Sequence, residues 1–241
     1  MLIVERLALL LVDGSTGASV VEPDRRRRAL ATAYLVDLCE AGLLDLVARG
    51  DDVRLVRGPV RANRDAYAVR AAERVLGFEP TPLPNAARAL RSGLVRHVYA
   101  RLAAVGDVRR LGGWGGRRYV LLDGGRGAAT RSALREVLLD GREPSREEHV
   151  VVASLGALGV AGLAAAVTGE DATAADARGA ALAERSIADG GVNGAGRWGM
   201  ADMLLGEPTI GEQAVVDNEL LMYWLNDARA CVRLVRRGAG A

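Results

Sequence analysis

The chain has 241 residues, half of them hydrophobic, only 4% aromatic, with a formal net charge of +2. That length can bury a large core as one domain or two smaller ones, and the scarcity of aromatics favours helix packing on small residues over a β-sandwich. The small net charge excludes a bulk polycation, so any anion site must be a local cluster; every cation except histidine is arginine, the better planar fork for phosphate.

The opening MLIVERLALLLVDGSTG is apolar but lacks a cationic leader and an A-x-A site, and Glu5 and Arg6 interrupt it. It is read as a core helix. A second helix is predicted from Pro23-Asp24, with Leu30, Tyr34, Leu35, Leu38 and Ala41 at helical spacing and Gly42 as its stop. LLDLVARGDDVRLVRG then reads as strand, turn, strand. A proline-rich connector, GFEPTPLPNAARAL, leads into a helix capped near Asn85. LVRHVYARLAAVGDVRRL is predicted helical throughout, with WGGRRYVLLDGG as a strand or hairpin after it. Two helix-then-hairpin units suggest a winged-helix-like construction or a pseudo-repeat.

From residue 131 the chain reads as helical: RSALREVLLDG, then one long helix PSREEHVVVASLGALGVAGLAAAV, then ATAADARGAALAERSIADG. Residues 150–167 carry no charge, but they are rich in Ala and Gly, which insert poorly into lipid, so a buried core helix is expected. A Gly-rich loop is predicted at 190–212, and a last helix at DNELLMYWLNDARACVRLVRR. The fold class is therefore mostly α with short β-hairpins, taken as a single domain over 1–241.

Catalytic signatures are absent. His97 and His149 are the only histidines, no G-x-S-x-G, H-E-x-x-H or C-x-x-C occurs, and Cys39 and Cys231 read as buried free thiols. His97 reads as a structural histidine. GGVNGAG does not fit a phosphate-binding glycine pattern. The expectation is a binding protein, with no enzyme activity, cofactor or metal. What remains is arginine: Arg25-Arg26-Arg27-Arg28 in the first turn of the second helix, Arg96 and Arg101 on a later one, and Arg109, Arg110, Arg117 and Arg118 around Trp114. Arginine is unfavourable at a helix N-terminus, and a bound anion would offset that cost.

Taken in order, LALLLVDGSTG, LATAYLVDLCEAGLLDL and VRHVYARLAAVGDVRRL with its hairpin resemble the Golgi phosphoprotein 3 family over about residues 2–170, and NELLMYWL resembles its closing segment. The resemblance implies a peripheral membrane protein binding phosphatidylinositol 4-phosphate through a tryptophan, an arginine early in helix 2, and an R-x-x-R pair. Aligned on ARL at 100–102, Arg96 takes the first arginine of the pair and Tyr99 the second; Ala31 and Glu22 replace the other two residues. Arg28, one turn before Ala31, is expected to reach the same space, so Arg25, Arg28, Arg96 and Tyr99 form the expected headgroup site. The hairpin with Trp114, Arg117 and Arg118 is expected to dip into an anionic membrane, from the cytoplasm onto its inner face. Protein clients or self-association could accompany this. Two rivals stand beside it: a winged-helix DNA-binding regulator whose wing is GGWGGRRYVL, and a structural interaction protein without a ligand.

Overall fold

The computed structural model describes residues 1–14, 16–49, 52–60, 65–78, 81–111, 118–122 and 125–189. Among them are eight α-helices and two small antiparallel sheets: α1 Ile3–Leu10, α2 Pro23–Glu40, β1 Leu44–Arg49, β2 Asp52–Arg57, α3 Ala66–Val75, β3 Thr81–Pro82, α4 Leu83–Ala104, β4 Val108–Leu111, β5 Arg118–Leu121, α5 Arg126–Leu138, α6 Arg146–Leu158, α7 Ala161–Ala164 and α8 Glu170–Asp189.

α1 is the centre of the core. Ile3, Val4, Leu7, Ala8, Leu9 and Leu10 are all buried, because the helix is packed against α2, α4, α5 and α6. A helix so enclosed cannot offer its terminal backbone groups to water. Side chains from elsewhere take them. The Asp37 carboxylate of α2 accepts from the backbone N–H groups of Ile3 (2.8 Å) and Val4 (3.0 Å). At the other end Ala8 O accepts from the Tyr99 hydroxyl at 2.9 Å, and Val12 O from Arg131 at 2.7 Å.

α2 starts on Pro23, whose missing N–H costs nothing in a first turn, and buries Leu30, Ala31, Tyr34, Leu35 and Leu38. The β1–β2 hairpin follows with Leu44 opposite Arg57 and Arg49 opposite Asp52, and β3 adds to the β2 edge. Both helix-then-hairpin units are present, α2 with β1–β2 and α4 with β4–β5.

Besides small shifts of helix starts, the structure departs from the sequence reading in three elements. Val108–Leu111 is strand β4, not the end of a helix; its residues pair with β5, Val108 opposite Leu121. The long apolar helix expected after Pro144 is two. Ser145 caps α6 by accepting from the Glu148 N–H, while Glu148 accepts from the Ser145 N–H, but Gly159 adopts φ 66° and ends the helix. The short α7 then turns the chain into α8, which lies so close to α6 that a Cβ on Gly156 would stand 2.2 Å from Gly179 O. Finally, α3 went unread: Asp65 caps it, and Ala68, Ala71, Ala72 and Val75 form its buried stripe. One hydrophobic cluster runs from Ile3 to Ala183 and contains Val150–Ala153. No helix among the described residues is long and apolar enough to cross a membrane.

Candidate anion-binding site

The four arginines of α2 do not converge on one partner. Arg25 donates to Leu158 O (3.1 Å), at the electronegative end of α6. Arg26 lies over the Tyr99 ring, 6.0 Å from its centroid. Arg27, exposed, pairs with Asp24. Arg28 is half-buried, and its Nε, like those of Arg25 and Arg26, is buried without a hydrogen-bond partner. No carboxylate among the described residues pairs with Arg25, Arg26 or Arg28.

Tyr99 is not a surface donor. It is fully buried, stacks on Tyr119 (centroids 4.5 Å apart, 14°), and its hydroxyl is committed to Ala8 O. Burial pushes its pKa up to about 12, against the nearby Arg26.

Arg96 is exposed, and it lines a concavity of about 670 Å³ between α3 and α4 together with Tyr67, Arg74, Ala89, Ser92, Gly93, His97 and Ala100. All of these belong to α3 or α4 and none to α2. The partner of Arg96 across the concavity is therefore Arg74, a residue the sequence reading missed along with the rest of α3. Its signal was readable: Asp65 as a cap, then apolar residues at helical spacing ending on Val75, with Arg74 at the last turn.

The concavity exists because α4 is broken. Ser92 has ψ 117° and Gly93 has φ 81°, so a second limb starts afresh at residue 94. A Cβ on Gly93 would meet nothing within 4 Å, so only its left-handed backbone demands glycine. The start of the new limb carries the positive end of its dipole. Arg74 ties α3 to the break by donating to Ser92 O at 3.3 Å.

Near this surface Arg101 stands between two carboxylates. Arg101 donates to buried Glu5 (3.0 Å) and pairs with Asp65, which also caps α3 by accepting from Tyr67 N and Ala68 N. Burial opposes ionisation of Asp65, but those two N–H groups and Arg101 hold its pKa below the usual carboxylate value. His97 lies flat on Tyr67, centroids 3.4 Å apart and 5° from parallel. Neither Arg74 nor Arg96 has a carboxylate partner among the described residues. Arg96, and Arg74 bonded only to a backbone carbonyl, thus line one concavity with no carboxylate partner among the described residues, which makes it a candidate anion site.

Trp114 and Arg117 lie outside the described residues, as do the 190–212 loop, the predicted last helix and Cys231; of Arg118 only the backbone, in β5, is described. Cys39 is a free thiol whose pKa burial raises well above the ordinary range. No group of three or more His, Cys, Asp or Glu that could hold a metal occurs among the described residues.

No curated protein matches the chain. The family model described as Golgi phosphoprotein 3 (GPP34) matches residues 3–197, which is most of the chain and takes in every element from α1 to α8. The chain belongs to the Golgi phosphoprotein 3 (GPP34) family.

Proposed function

We propose that this chain is a peripheral membrane protein that binds anionic, phosphoinositide-like lipid headgroups and has no catalytic activity of its own. The observation that carries the reading is the α3–α4 concavity, where Arg74 and Arg96 face a common space without a carboxylate to neutralise either. Each guanidinium can make forked, charge-assisted bonds to a phosphate, worth about 1.5–3 kcal/mol apiece before entropy costs. The start of the second α4 limb adds the positive end of its dipole. Arg25, Arg26 and Arg28 contribute a second, broader region of uncompensated charge that attracts the membrane surface without forming the pocket. In this reading the site keeps Arg96 from the sequence expectation, replaces Arg28 and Tyr99 by Arg74, and works from the cytoplasm on the inner membrane face.

The test is sedimentation with vesicles of neutral lipid, with and without a phosphoinositide. The wild-type chain is expected to sediment only with the anionic vesicles, increasingly so as salt falls. Arg74→Ala/Arg96→Ala should lose at least tenfold in affinity with its melting temperature kept. Equal sedimentation of wild type and double variant would reject the site.

A further inference from the structure

One residue of the concavity has a role that binding alone does not require. We propose that His97 makes anion binding at the α3–α4 concavity stronger in acid, by placing a third positive charge beside Arg74 and Arg96 when an anion is bound. This rests on the reading of the concavity as an anion site.

The geometry supplies the reasons. His97 is one of the residues lining the space, directly after Arg96 in sequence, and its Nε2 is buried without a hydrogen-bond partner. Its ring covers Tyr67 face to face, and an aromatic face is a favourable seat for an imidazolium. Tyr34 of α2 stands behind Tyr67, ring centroids 6.0 Å apart, so the stack has an aromatic floor.

The charges facing His97 come from three elements and the segment capping α3. Glu5 of α1 and Asp65 are negative; Arg70 and Arg74 of α3, and Arg96 and Arg101 of α4, are positive. Arg101 is spent on Glu5 and Asp65. Burial lowers the His97 pKa below the ordinary histidine value, with Asp65 opposing, Arg101 and Arg70 adding, and Glu5 opposing. An anion held by Arg74 and Arg96 reverses that balance, since it is a new negative charge on the open side of the ring. Proton and anion therefore bind with positive coupling, and the coupling is reciprocal. A unit charge roughly 6 Å from a dianion, screened as in water, is worth about a tenfold change in affinity.

Sulfate is the probe, because its charge stays constant over the pH range in which histidine titrates. Calorimetric titrations on the whole chain at low salt, at about pH 7.5 and about pH 5, give the ratio of affinities; repeats in buffers of different ionisation enthalpy count protons taken up. The wild type is expected to bind about tenfold more tightly in acid, with net proton uptake. His97→Gln should bring the ratio close to one, and so should His97→Phe, which keeps the stack on Tyr67 and decides the matter if the Gln variant melts early. The same acid-to-neutral ratio in wild type and in the folded His97 variant would overturn the inference alone, provided Arg74→Ala/Arg96→Ala has lost sulfate. No binding of sulfate by the wild type, or binding indifferent to the two arginines, would overturn the concavity reading and this inference with it. A vesicle arm with phosphoinositide at the same two pH values separates a lipid headgroup from a free anion: acid strengthening on vesicles as well as with sulfate places the switch on membrane binding.

Discussion

Asp37 offers the sharpest test of how the core is assembled. It is 6% exposed, projects from α2, and its two carboxylate oxygens receive the first backbone N–H groups of α1. Burial raises its pKa from 3.8 to about 7; the bonds from Val4 and Ile3 pull the other way, and Glu40 and Glu5 add to the rise. The native state thus holds a proton that the unfolded chain releases near its ordinary value. Between those two limits the folded protein binds more protons, so stability falls as pH rises. The contribution is complete below about pH 4 and gone above about pH 7. The distance from 3.8 to about 7 is worth about 4 kcal/mol across that window. Asp37→Asn removes the titration and keeps one acceptor oxygen, at the expense of facing one α1 N–H with an amide N–H₂. Urea unfolding followed by circular dichroism from about pH 4 to pH 8 should show the wild type losing stability with rising pH relative to the Asn variant, by about 4 kcal/mol over the range. Parallel stability curves for the two proteins would refute the reasoning, and with it the view that α1 is docked on a carboxyl whose ionisation burial opposes.

Other consequences follow from single contacts. Val151→Asp or Leu155→Asp puts a carboxylate at positions only 4% and 0% exposed, and should cost several kcal/mol, roughly 3–5, read as loss of the cooperative thermal transition. Gly156→Ala should destabilise by about 3 kcal/mol in urea unfolding, because its Cβ would stand 2.2 Å from Gly179 O and the two helices must separate. Gly93→Ala, with open space around it but φ 81°, should cost about 1–2 kcal/mol of stability and weaken sulfate binding by closing the α4 break. Glu148, held down to about 2 first by Arg142, with burial opposing and Ser145 helping, contributes stability above its ordinary pKa that fades as pH falls through that range. Glu148→Gln should therefore flatten the acid limb of the stability profile, and an unchanged limb would contradict the pairing.

Much of the fold could be read from the chain because local signals and burial agreed. Pro23 and Gly42 bracket α2, the apolar alternation with Gly-Asp-Asp marks β1–β2, and Pro144-Ser145 opens α6. The readings failed where tertiary contact decided. Nothing local says that VRRL is a strand, since its partner β5 lies across a separate segment. The helix after Pro144 looked continuous because Ala and Gly carry no periodicity, yet its break at Gly159 lets α7 and α8 pack closely on α6. At the candidate site, Arg96 came from the family resemblance, aligned on ARL at 100–102, but the space it faces was not legible. That space is set by the positive φ of Gly93 and by α3, whose stripe of alanines is a weak signal in an alanine-rich chain. Tyr99, one turn on, shares a helix with Arg96 and nothing else: it turns inward to hold the α1 carbonyl.

The central claim is that Arg74 and Arg96 together hold a phosphorylated headgroup. A calorimetric titration with a soluble inositol phosphate bearing a monoester phosphate, performed on wild type and on Arg74→Ala/Arg96→Ala, addresses it without a membrane. One bound molecule per chain is expected, with an affinity that weakens with salt, and with loss of binding in the double variant while Arg25→Ala/Arg28→Ala retains it. Equal affinity in wild type and the Arg74/Arg96 variant, or loss confined to the Arg25/Arg28 variant, would contradict it.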